Sequence, residues 1–335
     1  MTPKVSVLIP VQNAESTVGP ALESILRQTF DDFEVVAVDD GATDTSGKLL
    51  DDAARRDRRV RVIHTPNQGI IHALNAGLSI CSGELVARMD ADDISARSRL
   101  ARQVRMMDQN PALSVCSSLV RIFPRKNLLG GLVRYEQWLN SLVTPDEIRR
   151  DIFVESPIAH PSAVVRRSEL IEMGGYQEHG WPEDYDLWLR YHEAGKRFAK
   201  AEKRLFFWRQ SETRLTFTDS RYSVENFLRA KAHYLARMLR GVNRPIVLWG
   251  AGKTGRRILK HLLREGLEVE AVIDIDYKKI GRTLRRRPIV SHNYLMECPT
   301  AFVIAAVGSH AARRLIRQAL QKHGFTESED FICAA

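Results

Sequence analysis

The first ninety residues alternate short apolar runs with segments whose apolar residues recur at helical spacing. KVSVLIPV (4–11) and FEVVAVDD (33–40) have the length and continuity typical of buried strands. Between them, Val18, Leu22 and Ile25 share one face of a predicted helix. RVRVIHT, GIIHALNAGLSIC and ELVARMD continue the alternation as strand, helix and strand. This rhythm predicts an α/β fold, with a mostly parallel sheet and helices on both faces.

The rhythm weakens after about residue 110 and restarts near the C-terminal end. Residues 125–155 are ambiguous, except for a predicted helix that starts near Pro145. PIVLWGAGKTGRRILKHLL then predicts strand, glycine turn and helix again, so GVNRP (241–245) is the predicted boundary. We therefore expect a large domain over residues 1–240 and a small Rossmann-like α/β domain over 244–335.

Composition and charge add three constraints. The chain has 335 residues, 44% of them hydrophobic, and no apolar run of the roughly 18 residues that a membrane-spanning helix needs. The N-terminal sequence reads as a first strand rather than a signal peptide, and the four scattered cysteines fit a reducing cytoplasm. Net charge is +9, with most of the excess after residue 240. Such a basic region is either a solvated face or a surface for phosphates or an anionic membrane, so we expect a cytoplasmic protein whose membrane contact, if any, is peripheral at the inner face.

Two of the predicted strands end in crowded carboxylates. Asp39 and Asp40 end the second strand, and Asp90, Asp92 and Asp93 follow the fourth. Ligands of open α/β sheets bind beyond the carboxyl ends of the strands, and oxygen ligands suit a hard divalent cation such as Mg²⁺ or Mn²⁺. The alternative is an exposed loop that uses aspartates for turns and caps.

Four motifs, in this order and spacing, carry a family resemblance: VSVLIPVQNAE, QTFDDFEVVAVDDGATDTS, NQGIIHALNAGL and GELVARMDADD. Together they resemble the family 2 glycosyltransferases, which are inverting enzymes with the GT-A fold. The resemblance covers residues 4 to about 215. It implies a metal-dependent hexosyltransferase that uses a nucleotide-sugar donor.

The resemblance implies donor-side roles by position. Pro10 and Asn13 match the first turn at the nucleotide edge, and Asn67 lies in a segment near the donor. Asp40 matches the aspartate that binds the donor base; a carboxylate accepts from an imide N–H, which suits uracil or thymine. Asp90 and Asp92 match the DxD motif, with Asp92 the favoured metal residue.

The resemblance also implies acceptor-side roles. In GWPEDYDLWLR, Asp184 follows Glu183 and matches the catalytic base, since the acceptor hydroxyl must lose a proton as it attacks. Helix N-terminal stabilisation by these acids is the alternative. Glu183 and His160 are candidates for shaping the acceptor side. Arg209 matches a residue that approaches the diphosphate, and Trp181 either stacks on a sugar or is simply buried.

A second chemical motif lies in the C-terminal region. Gly250, Gly252 and Gly255 form a GxGxxG between a predicted strand and helix, and Asp274 ends the next strand, as in dinucleotide-binding units. The region resembles Rossmann-like domains of nucleotide-sugar-modifying proteins. It either binds a nucleotide-type ligand or serves packing and assembly. The cluster Arg285–Arg286–Arg287 is a candidate for contact with phosphates or an anionic membrane.

The leading hypothesis is therefore an inverting glycosyltransferase. The donor is expected to be a UDP-sugar, and the acceptor a saccharide or lipid-linked saccharide in polysaccharide or cell-surface glycan synthesis. The alternative is a non-catalytic nucleotide-binding regulatory protein that acts through the C-terminal region. A phosphatase with an aspartate nucleophile is disfavoured, because Ile94 stands where such enzymes need threonine or valine. No feature indicates nucleic-acid binding, and an oligomer is compatible with the sequence.

Overall fold

The structure is a computed structural model that describes residues 2–126, 128–211 and 214–335. The strands are β1 Val5–Val11, β2 Phe33–Asp40, β3 Val60–Thr65, β4 Leu85–Arg88, β5 Ile94–Ser95, β6 Leu113–Phe123, β7 Val164–Arg166, β8 Arg197–Arg209, β9 Ile246–Trp249, β10 Ala271–Ile273, β11 Thr283–Leu284, β12 Arg287–Val290, β13 Phe302–Ala305 and β14 Phe331–Cys333. The helices are α1 Val18–Leu26, α2 Ser46–Arg56, α3 Ile70–Ile80, α4 Arg99–Gln109, α5 Gly130–Ser141, α6 Pro145–Asp151, α7 Arg167–Glu172, α8 Glu183–Glu193, α9 Leu215–Thr218, α10 Val224–Leu239, α11 Lys253–Arg264, α12 Tyr294–Glu297 and α13 His310–Lys322.

The larger sheet has eight strands in the order β3-β2-β1-β4-β7-β6-β8-β5. Its first four strands are parallel, as the alternation of strands and helices predicts. β7 is antiparallel to both β4 and β6, whereas β6 and β8 are parallel to each other. The predicted α/β fold is confirmed, with the parallel strands concentrated in the first half of the sheet.

Helices cover both faces of this sheet, because the side chains of β1 alternate between two cores. Val5, Val7 and Ile9 belong to a buried cluster that includes Ile25 of α1 and Leu100 of α4. On the opposite face α3 packs so closely that a Cβ at Gly77 would lie 2.2 Å from Cδ1 of Leu8. The site therefore stands on strands that are packed from both sides.

The smaller sheet has six strands in the order β11-β12-β10-β9-β13-β14. Five of them are parallel, and only β11 runs antiparallel to its neighbour β12. α11 connects β9 to β10, and α13 connects β13 to β14, which places the glycine turn of residues 250–252 at the carboxyl end of β9. The predicted second α/β sheet is present.

The chain divides into two compact units. The first comprises Met1–Ile148, Pro157–His179 and Asp186–Thr218; the second comprises Arg149–Ser156, Gly180–Tyr185 and Asp219–Ala335. The predicted boundary at residues 241–245, between a domain over 1–240 and one over 244–335, stays a prediction. Within the described part of the chain, no helix is long and apolar enough to cross a membrane.

Candidate active site

The loops that follow β1 and β2 are tied to each other at the carboxyl edge of the sheet. Asn13 has a positive φ of 47°, and its Oδ1 accepts hydrogen bonds from the main-chain N–H of Thr43 at 2.8 Å and from the Thr43 hydroxyl at 3.3 Å. The N–H of Ala14 donates to Oγ of Ser46 at 2.8 Å. Pro10, the penultimate residue of β1, leads directly into this loop. Of the predicted nucleotide-edge residues, Asn13 thus lies in a braced turn, and Pro10 lies in the strand that leads into it.

Asp40 braces the next loop along the edge. Its two carboxylate oxygens accept from the N–H groups of Gln68 at 3.0 Å and Gly69 at 2.9 Å. Gly41 has φ of 65°, and a Cβ there would lie 2.5 Å from the nitrogen of Asn67. The carboxylate therefore holds the Asn67 loop against its own strand end. Oδ1 also accepts from the Thr65 hydroxyl at 3.4 Å, whereas Oδ2 accepts only from Gly69 among these contacts, so Oδ2 keeps a lone pair that can accept a hydrogen bond from a ligand.

His64, which the sequence did not indicate, contacts Asp39, the residue next to Asp40. The strand register places His64 of β3 opposite Asp39 of β2. Its Nδ1 lies 2.8 Å from Oδ2 of Asp39, and its Nε2 lies 3.1 Å from Oδ1 of Asp51. The hydrogen bonds to Asp39 and Asp51 raise the pKa of His64. Asp39 is thus paired with a histidine next to the Asp40 loop.

The acidic cluster lies just beyond β4. Carboxylate oxygens of Asp90, Asp92 and Asp93 all lie within 4.8 Å of one another. The buried guanidinium of Arg88, at the end of β4, contacts Oδ1 of Asp90 at 2.6 Å. The crowding that the sequence predicts is therefore real, and one buried cation offsets part of it.

Asp93 is the most constrained member of the cluster. It is fully buried, and its Oδ1 accepts from the N–H of Arg209 at 2.6 Å. Its Oδ2 has no hydrogen-bond partner among the described residues. Burial, and then repulsion by Asp90 and Asp92, raises the pKa of Asp93 well above its usual range. Burial and the neighbouring Asp90 likewise raise the pKa of Asp92.

These features fit a divalent cation. Three carboxylates are the hard oxygen ligands that Mg²⁺ and Mn²⁺ prefer. A buried carboxylate oxygen without a donor is costly unless another group satisfies it. The unpartnered Oδ2 of Asp93 and the raised pKa values of Asp92 and Asp93 are both consistent with a place for positive charge.

Arg209 approaches the acidic cluster from the end of β8. Its Nε donates to the main-chain oxygen of Asp92 at 2.6 Å, and its guanidinium lies 4.5 Å from the ring centre of Phe123. Arg214 donates from Nη1 to the carbonyl of Arg209 and stacks over Trp208. The sequence placed Arg209 near the diphosphate, and the structure places it beside the DxD backbone.

The predicted base lies at the start of α8. Asp184 is half-buried, and its Oδ1 accepts from the N–H of Tyr185 at 2.7 Å. Glu183 is buried, and the hydroxyl of Tyr222 donates to its two carboxylate oxygens at 2.9 and 2.7 Å. Tyr222 was missed, since nothing in the sequence links it to a residue 39 positions earlier. The two neighbouring acids therefore differ in environment: the carboxylate of Glu183 is buried and hydrogen-bonded to Tyr222, whereas the side chain of Asp184 is only half-buried.

The other acceptor-side candidates are packed in aromatic surroundings. His160 is buried, and its Nε2 lies 3.0 Å from the hydroxyl of Tyr176. Burial, and then the nearby Arg88, lowers the pKa of His160 well below its usual range, so the imidazole is neutral at pH 7. Trp181 is also buried, with Arg229 over its ring at 5.6 Å. Burial accounts for Trp181 without a sugar ligand.

The glycine loop of the smaller sheet has the geometry of a tight strand-to-helix turn. Gly250 has φ of 126°, and a Cβ at Gly255 would lie 1.7 Å from the carbonyl oxygen of Gly250. Gly252 precedes the first residue of α11, with open space where a Cβ would stand. Oδ2 of Asp274 accepts from the N–H of Ala251 at 2.8 Å and from Lys279 at 3.2 Å. The four predicted residues of this loop are thus brought together, with Asp274 holding the turn.

Comparison with known proteins identifies the family to which the first half of the chain belongs. Residues 6–174 match the model of the family described as Glycosyl transferase family 2. The chain belongs to this family. The match includes Asp40 and the cluster Asp90, Asp92 and Asp93, and ends before Asp184.

Curated relatives of the family share the first part of the chain. An uncharacterized glycosyltransferase of Haemophilus influenzae is 30% identical over 198 residues, which are 56% of this chain and 59% of that protein. The amylovoran biosynthesis glycosyltransferase AmsE of Erwinia amylovora is 33% identical over 190 residues, which are 55% of this chain and 68% of AmsE. The chain thus spans about three-fifths of the length of the Haemophilus relative.

Solved structures agree on the fold. The structure of S. aureus TarS residues 1–349 in complex with UDP-GlcNAc has a TM-score of 0.57 at 18% identity, covering 80% of this chain and 74% of that one. The mannosyltransferase PcManGT of Pyrobaculum calidifontis, in complex with GDP-Man and Mn²⁺, has a TM-score of 0.50 at 19% identity, covering 80% and 70%. At these identities the likeness establishes the fold alone.

Proposed function

We propose that the protein is an inverting, metal-dependent glycosyltransferase of the hexosyltransferase type. It moves a sugar from a nucleoside diphosphate donor to a hydroxyl of a saccharide or lipid-linked saccharide, in the synthesis of a polysaccharide or cell-surface glycan. The observation that carries the proposal is the cluster of Asp90, Asp92 and Asp93, whose ligand oxygens lie within 4.8 Å of one another at the end of β4. Membership in glycosyl transferase family 2 supports the reaction class.

The donor nucleotide is assigned to the braced loops after β1, β2 and β3. Pro10, Asn13 and Asn67 line this edge, and Asp40 accepts the imide N–H of the base. A uridine diphosphate sugar is the first candidate, because uracil offers that N–H and because TarS was solved with UDP-GlcNAc. The Pyrobaculum complex contains GDP-Man, so guanine is the base to test second.

The diphosphate is assigned to the acidic cluster. Asp92, with Asp90 and Asp93, would hold Mg²⁺ or Mn²⁺ there, and such an ion would stabilise the negative charge that develops on the leaving diphosphate. Arg209 fixes Asp93 and Arg88 fixes Asp90, so the carboxylates that would hold this ion are already positioned at the end of β4. The Mn²⁺ of the Pyrobaculum complex supports a divalent ion of this class.

The base that removes the proton of the acceptor hydroxyl is assigned to Asp184. The side chain is half-buried, whereas Glu183 is buried and its two carboxylate oxygens share the single hydroxyl proton of Tyr222. A base must reach the proton it abstracts, so exposure favours Asp184 over Glu183. Attack from the face opposite the nucleotide inverts the anomeric centre. Glu183 and His160 are assigned to shaping the acceptor side.

A second candidate function concerns the smaller sheet. Its glycine loop keeps the open space at Gly252 and the Asp274 contact of a ligand-binding turn. A nucleotide or nucleotide-sugar bound there would make this part of the chain a regulatory module. The observation that favours it is that an added Cβ at Gly252 meets nothing within 4 Å, which leaves room for a phosphate.

Calorimetric titration of the full chain with UDP, with and without Mn²⁺, tests both functions. We expect Mn²⁺-dependent binding that Asp92→Asn abolishes and Gly252→Ser leaves intact. If Gly252→Ser lost UDP binding and Asp92→Asn kept it, UDP would be assigned to the smaller sheet, and the transferase donor site would be contradicted. If UDP does not bind, titration with GDP is the next step, and no binding of either would contradict the proposal.

A further inference from the structure

A largely exposed segment follows β10 in the smaller sheet. Residues 275–287, here called the basic segment, contain Lys278, Lys279, Arg282, Arg285, Arg286 and Arg287, against one acidic residue, Asp276. Two of these cations have ion-pair partners: Lys279 contacts Asp274, and Arg287 contacts Glu268. Among the described residues, the other four form no ion pair. The segment thus presents concentrated positive charge that the fold itself does not use.

The backbone at the tip of the basic segment is unusual. β11 and β12 pair as a hairpin, with Leu284 opposite Arg287, so Arg285 and Arg286 form its two-residue turn. Their φ angles are 49° and 65°, the pattern of a turn that strongly prefers Asn-Gly or Asp-Gly. Two large side chains in left-handed backbone cost free energy that packing does not return, because both are exposed. The local structure of the hairpin therefore gives no reason for arginine at these positions.

Apolar side chains accompany the cations. Ile275 and Tyr277 are each 79% exposed, and Ile280 is exposed as well. Nζ of Lys278 lies 5.8 Å from the ring centre of Tyr277, so cation and aromatic ring share one surface. Exposed aliphatic and aromatic groups beside Lys and Arg are typical of surfaces that enter the boundary between lipid headgroups and acyl chains. A soluble polyanion, by contrast, would engage the cations and gain little from Ile275.

We propose that the basic segment docks the protein on an anionic membrane. Arg285 and Arg286 at the hairpin tip, with Lys278 and Arg282, contact the negatively charged headgroups. Ile275, Tyr277 and Ile280 insert into the interfacial layer. The binding is peripheral and falls as salt concentration rises, because charge contributes much of it. This inference concerns the smaller sheet alone and holds whichever donor the larger sheet uses.

The test is co-sedimentation of the full chain with vesicles. The parent protein should bind vesicles that mix phosphatidylglycerol with phosphatidylcholine, and should not bind pure phosphatidylcholine. Arg285→Asn combined with Arg286→Gly keeps the turn, since Asn-Gly is its preferred pair, and removes two charges. Each basic side chain near an anionic surface contributes roughly a fivefold gain in partitioning, so this double variant should bind about 25-fold more weakly.

Two further variants sharpen the result. Arg102→Gln with Arg105→Gln, on the exposed face of α4, removes the same charge from the larger sheet's unit and should bind like the parent. Ile275→Ser with Tyr277→Ser should weaken vesicle binding severalfold without changing net charge. Equal binding by the parent and the hairpin variant would overturn the proposal. Unchanged binding of the Ile275→Ser, Tyr277→Ser variant would also overturn it, by identifying a general polyanion surface.

Discussion

The main-chain N–H of Arg209 donates a hydrogen bond of 2.6 Å to Oδ1 of Asp93, across 116 residues of sequence. This bond joins the end of β8 to the acidic cluster beyond β4. It fixes one oxygen of a fully buried carboxylate, while the other oxygen has no partner among the described residues. Asp93 is thus a positioned carboxylate, and under the proposed function a divalent cation satisfies its second oxygen.

Replacing Asp93 by asparagine should separate stability from metal binding. A buried acid whose pKa is raised in the folded state destabilises the fold at every pH above its unfolded pKa, so the change removes that penalty at pH 7. We expect Asp93→Asn to be more stable than the parent without metal, by about 1–3 kcal/mol. Thermal denaturation should then show a smaller stabilisation by Mn²⁺ than in the parent. A full Mn²⁺ response in this variant would show that Asp93 does not hold the ion.

Replacing Asp184 by asparagine should abolish transfer while donor binding persists. Loss of a general base lowers the turnover rate roughly 10²–10⁴-fold, because the acceptor hydroxyl keeps its proton. Donor affinity by calorimetry and transfer by product formation are the two measurements. Tyr222→Phe is the matched control: it removes the donor to buried Glu183 and should cost about 1–3 kcal/mol of stability, with far less effect on turnover. Normal transfer by Asp184→Asn would refute the assigned base.

The glycines of the smaller sheet should respond in opposite ways. Gly255→Ala places a Cβ 1.7 Å from the carbonyl oxygen of Gly250, so the free energy of unfolding should fall by about 3 kcal/mol. Gly252→Ser places its Cβ in open space at a helix N-cap, where serine is favoured, so stability should stay within about 0.5 kcal/mol. Chemical denaturation of both variants measures this. Equal destabilisation would mean that the turn differs from the one described.

His160 should make stability depend on pH. Its folded pKa lies well below the usual 6.5, so between the two values the unfolded chain binds more protons than the folded one. The contribution of His160 to the free energy of unfolding is therefore complete above about pH 6.5. As pH drops below that value, the free energy of unfolding falls by up to about 1.4 kcal/mol per pH unit for this one proton. His160→Gln should flatten that part of the curve. Denaturation from pH 7.5 to pH 5 compares the slopes, and identical slopes would contradict a buried neutral imidazole.

Elements with a strong local pattern were predictable. The buried apolar runs of β1 and β2, the glycine turn after β9 and the helical face of α1 depend on residues close in sequence. α5 was missed, because it buries only Glu136 and Leu139, and so carries almost no helical apolar pattern. The β11–β12 hairpin was missed because its turn is Arg285–Arg286, whereas the sequence that usually predicts such a turn is Asn-Gly.

The sequence by itself determined that carboxylates crowd the ends of two strands, since an apolar run followed by aspartates needs no knowledge of the rest of the chain. It also determined the glycine turn, because only glycine permits that close approach. The tertiary structure decided which partners those groups have: Arg209 for Asp93, Gln68 and Gly69 for Asp40, Tyr222 for Glu183, and His64 for Asp39. These contacts join residues 25 to 116 positions apart, and strand order and register, which bring them together, arise only when the whole sheet forms.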